Sequence, residues 1–429
     1  MTTSTSTAES TQQTLWHNND YLLLMSGKTT QIIGAGLATF AVPLIAFALT
    51  GSVLLAGLIS AVGEVGYLVA TLPAGAIADR VNRKTLLLVC SAIGAALWAS
   101  LAVAEAFSAL SPWHLAAVLF GSSVVGAFFA PAESAGIREV VRSDQLGSAM
   151  AAVQGRSAVA SLVAGPIGGI LYGISRAWPL AASMIGYIVV GACTVFVRRP
   201  LNGDLSQIRG TSAFESLKEG LRFVWAVPFL RTGIAIFALI NLAFGGILFS
   251  LNLHLVQIHT LPFLIGLIDA VAGATMVVGS IAAAPLVKRF RGGPLAILSM
   301  IVTVLGALGL AFSTEYGEYL VWIAVTTALV PALNSALIGY ASAITPSALQ
   351  GRMNSVLSLS SVAVAPASPI VAGALLGSLS VNWAMGLFAV LLLVGGIVFV
   401  AFKPIRSIGR PDTWANELVE WGTNASSVN

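Results

Sequence analysis

The sequence predicts an all-α membrane protein, with twelve transmembrane helices arranged as two pseudo-symmetric six-helix bundles. Three observations predict it. Of its 429 residues, 57% are hydrophobic and only 9% are charged, with a mean hydropathy of +0.91, whereas soluble domains carry roughly 25% charged residues. The apolar residues gather into twelve runs, each long enough to supply the ~20 helical residues that cross ~30 Å of hydrocarbon with every backbone polar group satisfied internally. The chain also repeats itself. At a constant offset of 209, Gly57, Leu58, Ile59, Ala61 and Val62 fall on Gly266, Leu267, Ile268, Ala270 and Val271, and Arg80 falls on Arg289. A related pairing, at an offset of 200, sets Pro131 and Ala132 against Pro331 and Ala332.

Residues 1–17 are rich in Ser and Thr, and Met1 to Trp16 hold no Lys or Arg. They lack the basic start and short apolar core of a cleaved signal peptide, so a disordered cytoplasmic tail is expected. The first bundle, 18–197, takes runs at about 21–49, 53–78, 84–107, 113–137, 146–173 and 177–197. A cytoplasmic linker, 198–229, follows. Within it Ser212 and Glu215 form a capping box that opens an amphipathic helix, with Phe214, Leu217, Leu221, Val224 and Trp225 on one face. The second bundle, 230–403, takes runs at about 230–252, 261–286, 294–313, 319–341, 349–378 and 381–403. A polar cytoplasmic tail, 404–429, completes the chain.

With both termini cytoplasmic, all but three of the 21 Lys and Arg fall in or beside cytoplasmic loops and tails. The exceptions are Lys28, Arg156 and Arg176. This is the positive-inside bias. The net charge of +4 therefore reads as topology and contact with anionic lipid, and nucleic acid is not implied. Cys90 and Cys193 lie within apolar runs, which argues against a disulfide framework. No zinc spacing and no phosphate-binding Gly-x-x-x-x-Gly-Lys-Ser/Thr loop is present, so neither a metal, nor a cofactor, nor direct use of ATP is expected.

Between the second and third runs lies Gly75-Ala-Ile-Ala-Asp79-Arg80-Val-Asn82-Arg83-Lys84. This stretch resembles the signature loop of the major facilitator superfamily, with Asn82 standing where glycine is usual. Asn tolerates a left-handed turn better than other non-glycine residues, so the turn is expected to survive. In the second copy Lys288 replaces Asp79, beside Arg289, so the two loops differ in charge. The resemblance implies that Asp79 packs against the N-terminus of the eleventh helix when the cytoplasmic side closes, a carboxylate on a positive helix end. That helix should begin near Thr345-Pro346-Ser347, with Thr345 or Ser347 as cap. Arg80, Arg83 and Lys84 would hold the loop to phosphates and neighbouring acids.

The stretch from Gly27 through Pro43 to Ser52, together with Phe128-Phe-Ala-Pro131-Ala and Asp144-Gln-Leu146, is similar to the enterobactin-exporter and macrolide-efflux branch of that superfamily. Gly165-Pro166-Ile-Gly168-Gly169 resembles the helix-packing glycine-proline motif of drug:proton antiporters. The embedded arginine often found on helix four of related branches is replaced by Phe120-Gly121-Ser122-Ser123, so any proton coupling must use other groups.

Ionisable residues at depth cost at least ~2.5–3.5 kcal/mol each and are functional candidates by default. Depth counting places Lys28 and Glu64 at one level and Arg156 and Asp269 at another, so two ion pairs are expected, each either a proton-coupling element or a static pair. Arg156–Asp269 would latch the halves on the outer side. Glu133 is expected near the membrane interface. Asn241, Asn252 and Asn334 are candidates for lining a central cavity or for bonding neighbouring helices. The resemblance implies a monomeric secondary transporter of a bacterial inner membrane, not an enzyme. It would export a small amphipathic molecule of the drug, antibiotic or siderophore class by proton antiport, with membrane lipids around it. The alternatives are a proton-coupled importer, a lysolipid flippase, or a transport-inactive sensor or scaffold.

Overall fold

The structure, a computed structural model, describes residues 15–78, 80–201 and 213–414. Among these, twelve spans are long and apolar enough to cross a membrane. The first six are α1 (Asn19–Thr50), α2 (Val53–Ala78), α3 (Arg83–Ala106), α4 (Pro112–Val140), α5 (Leu146–Ile174) and α6 (Ala177–Phe196). The amphipathic α7 (Ala213–Ala226) precedes the second six. These are α8 (Pro228–Gln257), α9 (Pro262–Arg289), α10 (Gly292–Phe312), α11 with α12 (Tyr316–Ala328, Val330–Ile344), α13 with α14 (Ser347–Val364, Ala367–Ser378) and α15 (Val381–Ala401). A short α16 (Lys403–Arg406) follows.

The tenth and eleventh spans are each broken once. Leu329, just before Pro331, separates α11 from α12, and Ala365–Pro366 separate α13 from α14. Proline removes a backbone donor and clashes with the preceding turn, so both breaks have a covalent cause.

Packing divides the spans into two sets with the same internal logic. In the first, α1 lies on α6 and α5, α2 on α4, and α3 on α4 and α6. In the second, α8 lies on α14 and α15, α9 on α11 and α12, and α10 on α11, α12 and α15. Only two extensive contacts cross between the sets, α5 with α9 and α2 with α14. Twelve spans bring both ends of the chain to one side, here the terminal face; the opposite side is the far face.

Local chemistry explains the helix ends. Asn18 caps α1 through Tyr21 N at 3.2 Å and ties it to α4 through Val140 O at 2.7 Å. Gly51 ends α1 at φ 63°, a left-handed conformation that glycine adopts without strain. Asn82 does not form the left-handed turn expected of it. Its φ is −63° and its side chain accepts from Thr85 N at 3.1 Å, so it is the N-cap of α3. The eleventh span begins at Ser347 as expected, but Thr345 turns its hydroxyl back to Ala341 O at 2.7 Å and does not cap it.

The expected tail from 404 is not free where it is described. Gly292 N donates to Gly409 O at 2.9 Å and Gly293 N to Ile408 O at 3.0 Å, which pins the segment to the start of α10. Ile405, Ile408 and Trp414 are buried, and Trp414 packs edge-on against Tyr340, which packs in turn on Phe229. Apolar side chains at 405, 408 and 414 drive this fold-back. Residues 1–14 and 415–429 of the two expected tails, and 202–212 of the linker, lie outside the described residues. In α7, Val224 is buried while Leu221 and Trp225 remain exposed, a placement suited to a membrane interface.

Candidate functional site: a cleft between two bundles and its embedded charges

Glycines report how the two bundles meet. A side chain at Gly57 on α2 would collide with the backbone of Pro369 on α14, and one at Gly373 with Val53 and Leu54. On the other flank, Gly165 and Gly266 meet backbone to backbone, and Gly169 meets Pro262 in the same way. Gly57 and Gly266 are equivalent positions of the sequence repeat, so the two crossings are pseudo-symmetric. All of these contacts lie toward the far face. Toward the terminal face, Gly75 on α2 and Gly147 and Gly155 on α5 have nothing within 4 Å of a side-chain position, and neither does Gly351 on α13. The bundles are closed at the far face and splayed at the terminal face. Of the helix-packing motif, Gly165 and Gly169 serve the crossing between bundles. Gly168 packs on Phe40 and Leu37 of α1, and Pro166 abuts Gly266.

The two expected ion pairs are not formed. Arg156 pairs with Glu133 on α4, not with Asp269. The side chains are 7% and 12% exposed, so this is a buried pair and Glu133 is not interfacial. Helix length explains the correction. From Leu146 to Arg156 is ~15 Å, from Glu133 to Val140 ~10 Å, and from Pro262 to Asp269 ~10 Å, the first two measured from the terminal face and the third from the far face. Spans α4 and α5 run to 29 residues each, so counting from the far end misplaced Arg156.

Lys28 does not reach Glu64. Its Nζ donates to Gln31 Oε1 at 2.6 Å and lies 4.4 Å from the centre of the Phe129 ring on α4. Both depth and azimuth differ from the expectation: Lys28 stands level with Phe129 of α4, whereas the turn of α2 that carries Glu64 stands level with Leu119 to Ser123, nearer the far face, and Glu64 shares the face of α2 that carries Gly57 and Gly75. Going down that face, Gly57 is crowded by α14, Ala61 is buried, Glu64 is exposed and Gly75 has no neighbour. Glu64 therefore sits where the cleft begins to open, and it has no ion-pair partner among the described residues.

Lys28, Glu133 and Arg156 form one cluster, with Lys28 in electrostatic range of both others. Two cations face one carboxylate. Arg156 also donates to Met25 Sδ at 3.3 Å, while its Nε and the neighbouring Tyr21 hydroxyl are buried without a hydrogen-bond partner. Asp269 has no cation paired with it among the described residues. Its Oδ1 accepts from Asn252 Nδ2 at 3.3 Å, and it lies against Gly165 at the closed crossing.

The second bundle encloses a largely apolar cavity of about 220 Å³. Asn241 on α8 and Asn334 on α12 line it, with Phe237, Phe244, Met276 and Leu337 around them. Asn241 Nδ2 donates to Phe237 O at 2.8 Å, which leaves its Oδ1 available. Asn252 is committed to Asp269. The cavity lies within one bundle, beside the cleft, and not astride both.

In the signature loop, Asp79 lies outside the described residues. Arg83 donates to Leu201 O at 3.0 Å and pairs with Glu139 at 3.5 Å. Lys84 donates to Val197 O at 2.7 Å and Val195 O at 3.0 Å, a cation on the negative end of α6. These two bases staple the loop to α4 and α6. Arg80, and Lys288 and Arg289 of the second copy, are exposed.

Comparison with known proteins agrees with this architecture. The model of the Major Facilitator Superfamily matches residues 24–330 and 257–424. Macrolide efflux protein A of Streptococcus pyogenes is 24% identical over 224 residues, 51% of this chain and 53% of that protein. The multidrug efflux pump Tap of Mycolicibacterium fortuitum is 29% identical over 224 residues, 49% of this chain and 53% of that protein. The chain thus spans about half the length of the curated relatives it matches. Among solved structures, a nucleoside transporter superposes with a TM-score of 0.74 at 12% identity, covering 89% of this chain and 99% of that one. A D-xylose-proton symporter gives 0.69 at 13% identity, covering 90% and 98%. The structural likenesses establish the shared fold. With the family model matching nearly the whole length and two bundles meeting at paired glycine crossings, the chain belongs to the major facilitator superfamily of membrane transporters.

Proposed function

We propose that the protein exports a small amphipathic molecule by alternating access coupled to proton influx. The observation that carries this reading is a cleft closed at the far face and open at the terminal face, with Glu64 uncompensated at its apex. The terminal face is taken as cytoplasmic from the distribution of Lys and Arg. A molecule entering from that side would meet an apolar wall with isolated polar groups, which suits an amphipathic compound. The efflux proteins among the sequence relatives support the direction and the substrate class.

Proton coupling is assigned to two of the embedded carboxylates, Glu133 and Asp269. Protonation of Glu133 removes the one counter-charge that Arg156 and Lys28 have among the described residues, so it destabilises the contact of α4 with α5 and α1. Protonation of Asp269 removes a charge from the crossing of α5 with α9 and favours its closure. Alternate occupancy of the two sites would bias the bundles toward opposite faces, since a ligand shifts an equilibrium only through its differential affinity for the two states. In this reading 18–197 and 230–403 rock about the cleft as two units, with 198–229 as the linker between them.

The test uses proteoliposomes containing the full chain, with a labelled macrolide and the cationic dye ethidium as probes. For molecules whose terminal face looks outward, an acid-inside pH gradient should drive probe accumulation, and collapsing the gradient should release it. Accumulation driven by the opposite gradient would make the protein an importer and overturn the reading. The absence of movement of either probe under any gradient would also count against it.

A further inference from the structure

We propose that the groove between α10 and α15 holds an anionic glycerophospholipid in the leaflet of the terminal face, its phosphate on a basic corner built by the folded-back segment 403–414. Two independent features meet here. The first is a groove of about 420 Å³ on the membrane-facing side of the second bundle. Its walls are Met300, Val304 and Leu308 from α10 and Leu393, Gly396 and Val400 from α15, with Arg406 at its end. Gly396 makes the depth: a side chain there would approach Met300 Cε to 3.1 Å and Val304 Cγ2 to 3.3 Å. From Met300 to Leu308 the wall runs ~12 Å, close to the ~15 Å of one leaflet's hydrocarbon. That length and that apolar lining suit an acyl chain.

The second feature is charge. The hydrogen bonds from Gly292 and Gly293 to Gly409 and Ile408 fix Arg406 and Arg410 beside Arg291 at the start of α10. Lys288 and Arg289 end α9 immediately before it, and Lys403 begins α16. All six bases are exposed. Arg406 donates to Val400 O and to Ala401 O at 3.3 Å, which holds its guanidinium over the groove's end. None of the six has an ion-pair partner among the described residues, and Asp412 is the single acid in 403–414. A concentration of unpaired cations at headgroup level, directly above an acyl-length groove, selects an anionic lipid over a zwitterionic one. Basic pockets between spans on the positively biased side are the recognised chemistry for such headgroups.

Consequences extend to the fold-back itself. A phosphate bridging Arg291, Arg406 and Lys403 would tie α10, α15 and the C-terminal segment together and relieve the mutual repulsion of the bases.

The experiment is native mass spectrometry of the full chain in nonionic detergent, titrated with phosphatidylglycerol, phosphatidylcholine and inorganic phosphate. The expected result is retained phosphatidylglycerol at one saturable site and weaker, unsaturated adduction of phosphatidylcholine. Each base near the surface contributes about 1 kcal/mol, so the combined Lys403→Gln and Arg406→Gln variant should weaken phosphatidylglycerol binding about 30-fold. Glutamine keeps a donor for the α15 carbonyls. Ile397, 60% exposed on the groove's rim, provides the complementary variant. Ile397→Trp should fill the groove and weaken binding at least 10-fold with the bases intact, and Leu305→Trp on the facing rim should do the same. Arg138→Gln, an exposed base on α4, should leave binding unchanged. Equal retention of phosphatidylcholine, full displacement by inorganic phosphate, or unchanged binding in both the charge and the groove variants would overturn the proposal.

Discussion

Removing the carboxylate of Glu133 should destabilise the protein more than removing any other embedded charge. Arg156 is buried, and its guanidinium has two partners, Glu133 and the weakly accepting Met25 Sδ. Lys28 adds a second positive charge nearby. Glu133→Gln therefore turns a cluster of net charge +1 into one of +2 without any hydrated route of escape. Breaking a buried pair by deleting one partner costs about 3–5 kcal/mol, because the surviving charge stays desolvated. At about 2 °C per kcal/mol for a large domain, the apparent melting temperature should fall by about 6–10 °C. Replacing the pair together, Glu133→Leu with Arg156→Leu, should restore most of the loss, since apolar substitutes for a buried ion pair are often neutral or better. Lys28→Met should be nearly neutral, as relief of repulsion offsets a cation–π contact of about 0.5–2 kcal/mol. The assay is thermal unfolding in detergent, followed by tryptophan fluorescence, for the three variants and the unaltered protein. A fall below about 2 °C for Glu133→Gln, or a double variant no more stable than the single one, would refute the assignment of Glu133 as the counter-charge.

Asp269→Asn should change the melting temperature by less than about 2 °C, because no cation loses a partner. The same variant should abolish any pH dependence of far-face opening in a spin-label distance measurement, and retention of that dependence would clear Asp269 of a coupling role. Gly57→Leu should wedge α2 from α14 and make the far face reactive to an impermeant maleimide at an introduced cysteine on Thr50; no gain in labelling would mean that the crossing does not gate. Trp414→Ala removes a side chain 7% exposed against Tyr340 and should cost about 3–5 kcal/mol of local stability. Trypsin cleavage after Arg406, which precedes Ser407, should then accelerate sharply, whereas unchanged cleavage would show that the segment is not docked by its tryptophan.

Span positions were legible because lipid imposes one rule on every segment. A run either satisfies its own backbone over ~20 residues or does not cross. Accordingly α2 spans the expected 53–78, and α15 ends two residues before the expected 403. The pairing of charges was not legible. Counting gives depth only when the helix ends and the edge of the hydrocarbon coincide, and azimuth depends on which helix is the neighbour; Lys28 lies beside Phe129 of α4, away from the level of Glu64 on α2. Arg156 failed at the earlier step, since α5 overshoots the hydrocarbon and offers two ends to count from. The glycine crossings could have been found: the repeat keeps glycine at both Gly57 and Gly266, positions without any turn to explain them. The fold-back of 404–414 also left a trace, in Ile405, Ile408 and Trp414 standing among polar residues. Asn82 was read through the family's glycine, although an Asn directly before a helix is first an N-cap.

Alternating access is tested most directly by two distances read in the same sample. Spin labels at Trp113 and Phe312, 85% and 81% exposed at the far ends of α4 and α10, report the far face. Labels at Arg138 and Arg289, exposed on α4 and α9, report the terminal face. On acidifying the far side in the presence of ethidium, the account predicts that the first distance shortens while the second lengthens, in the same fraction of molecules. Two distances that stay fixed, or that lengthen together, would contradict it.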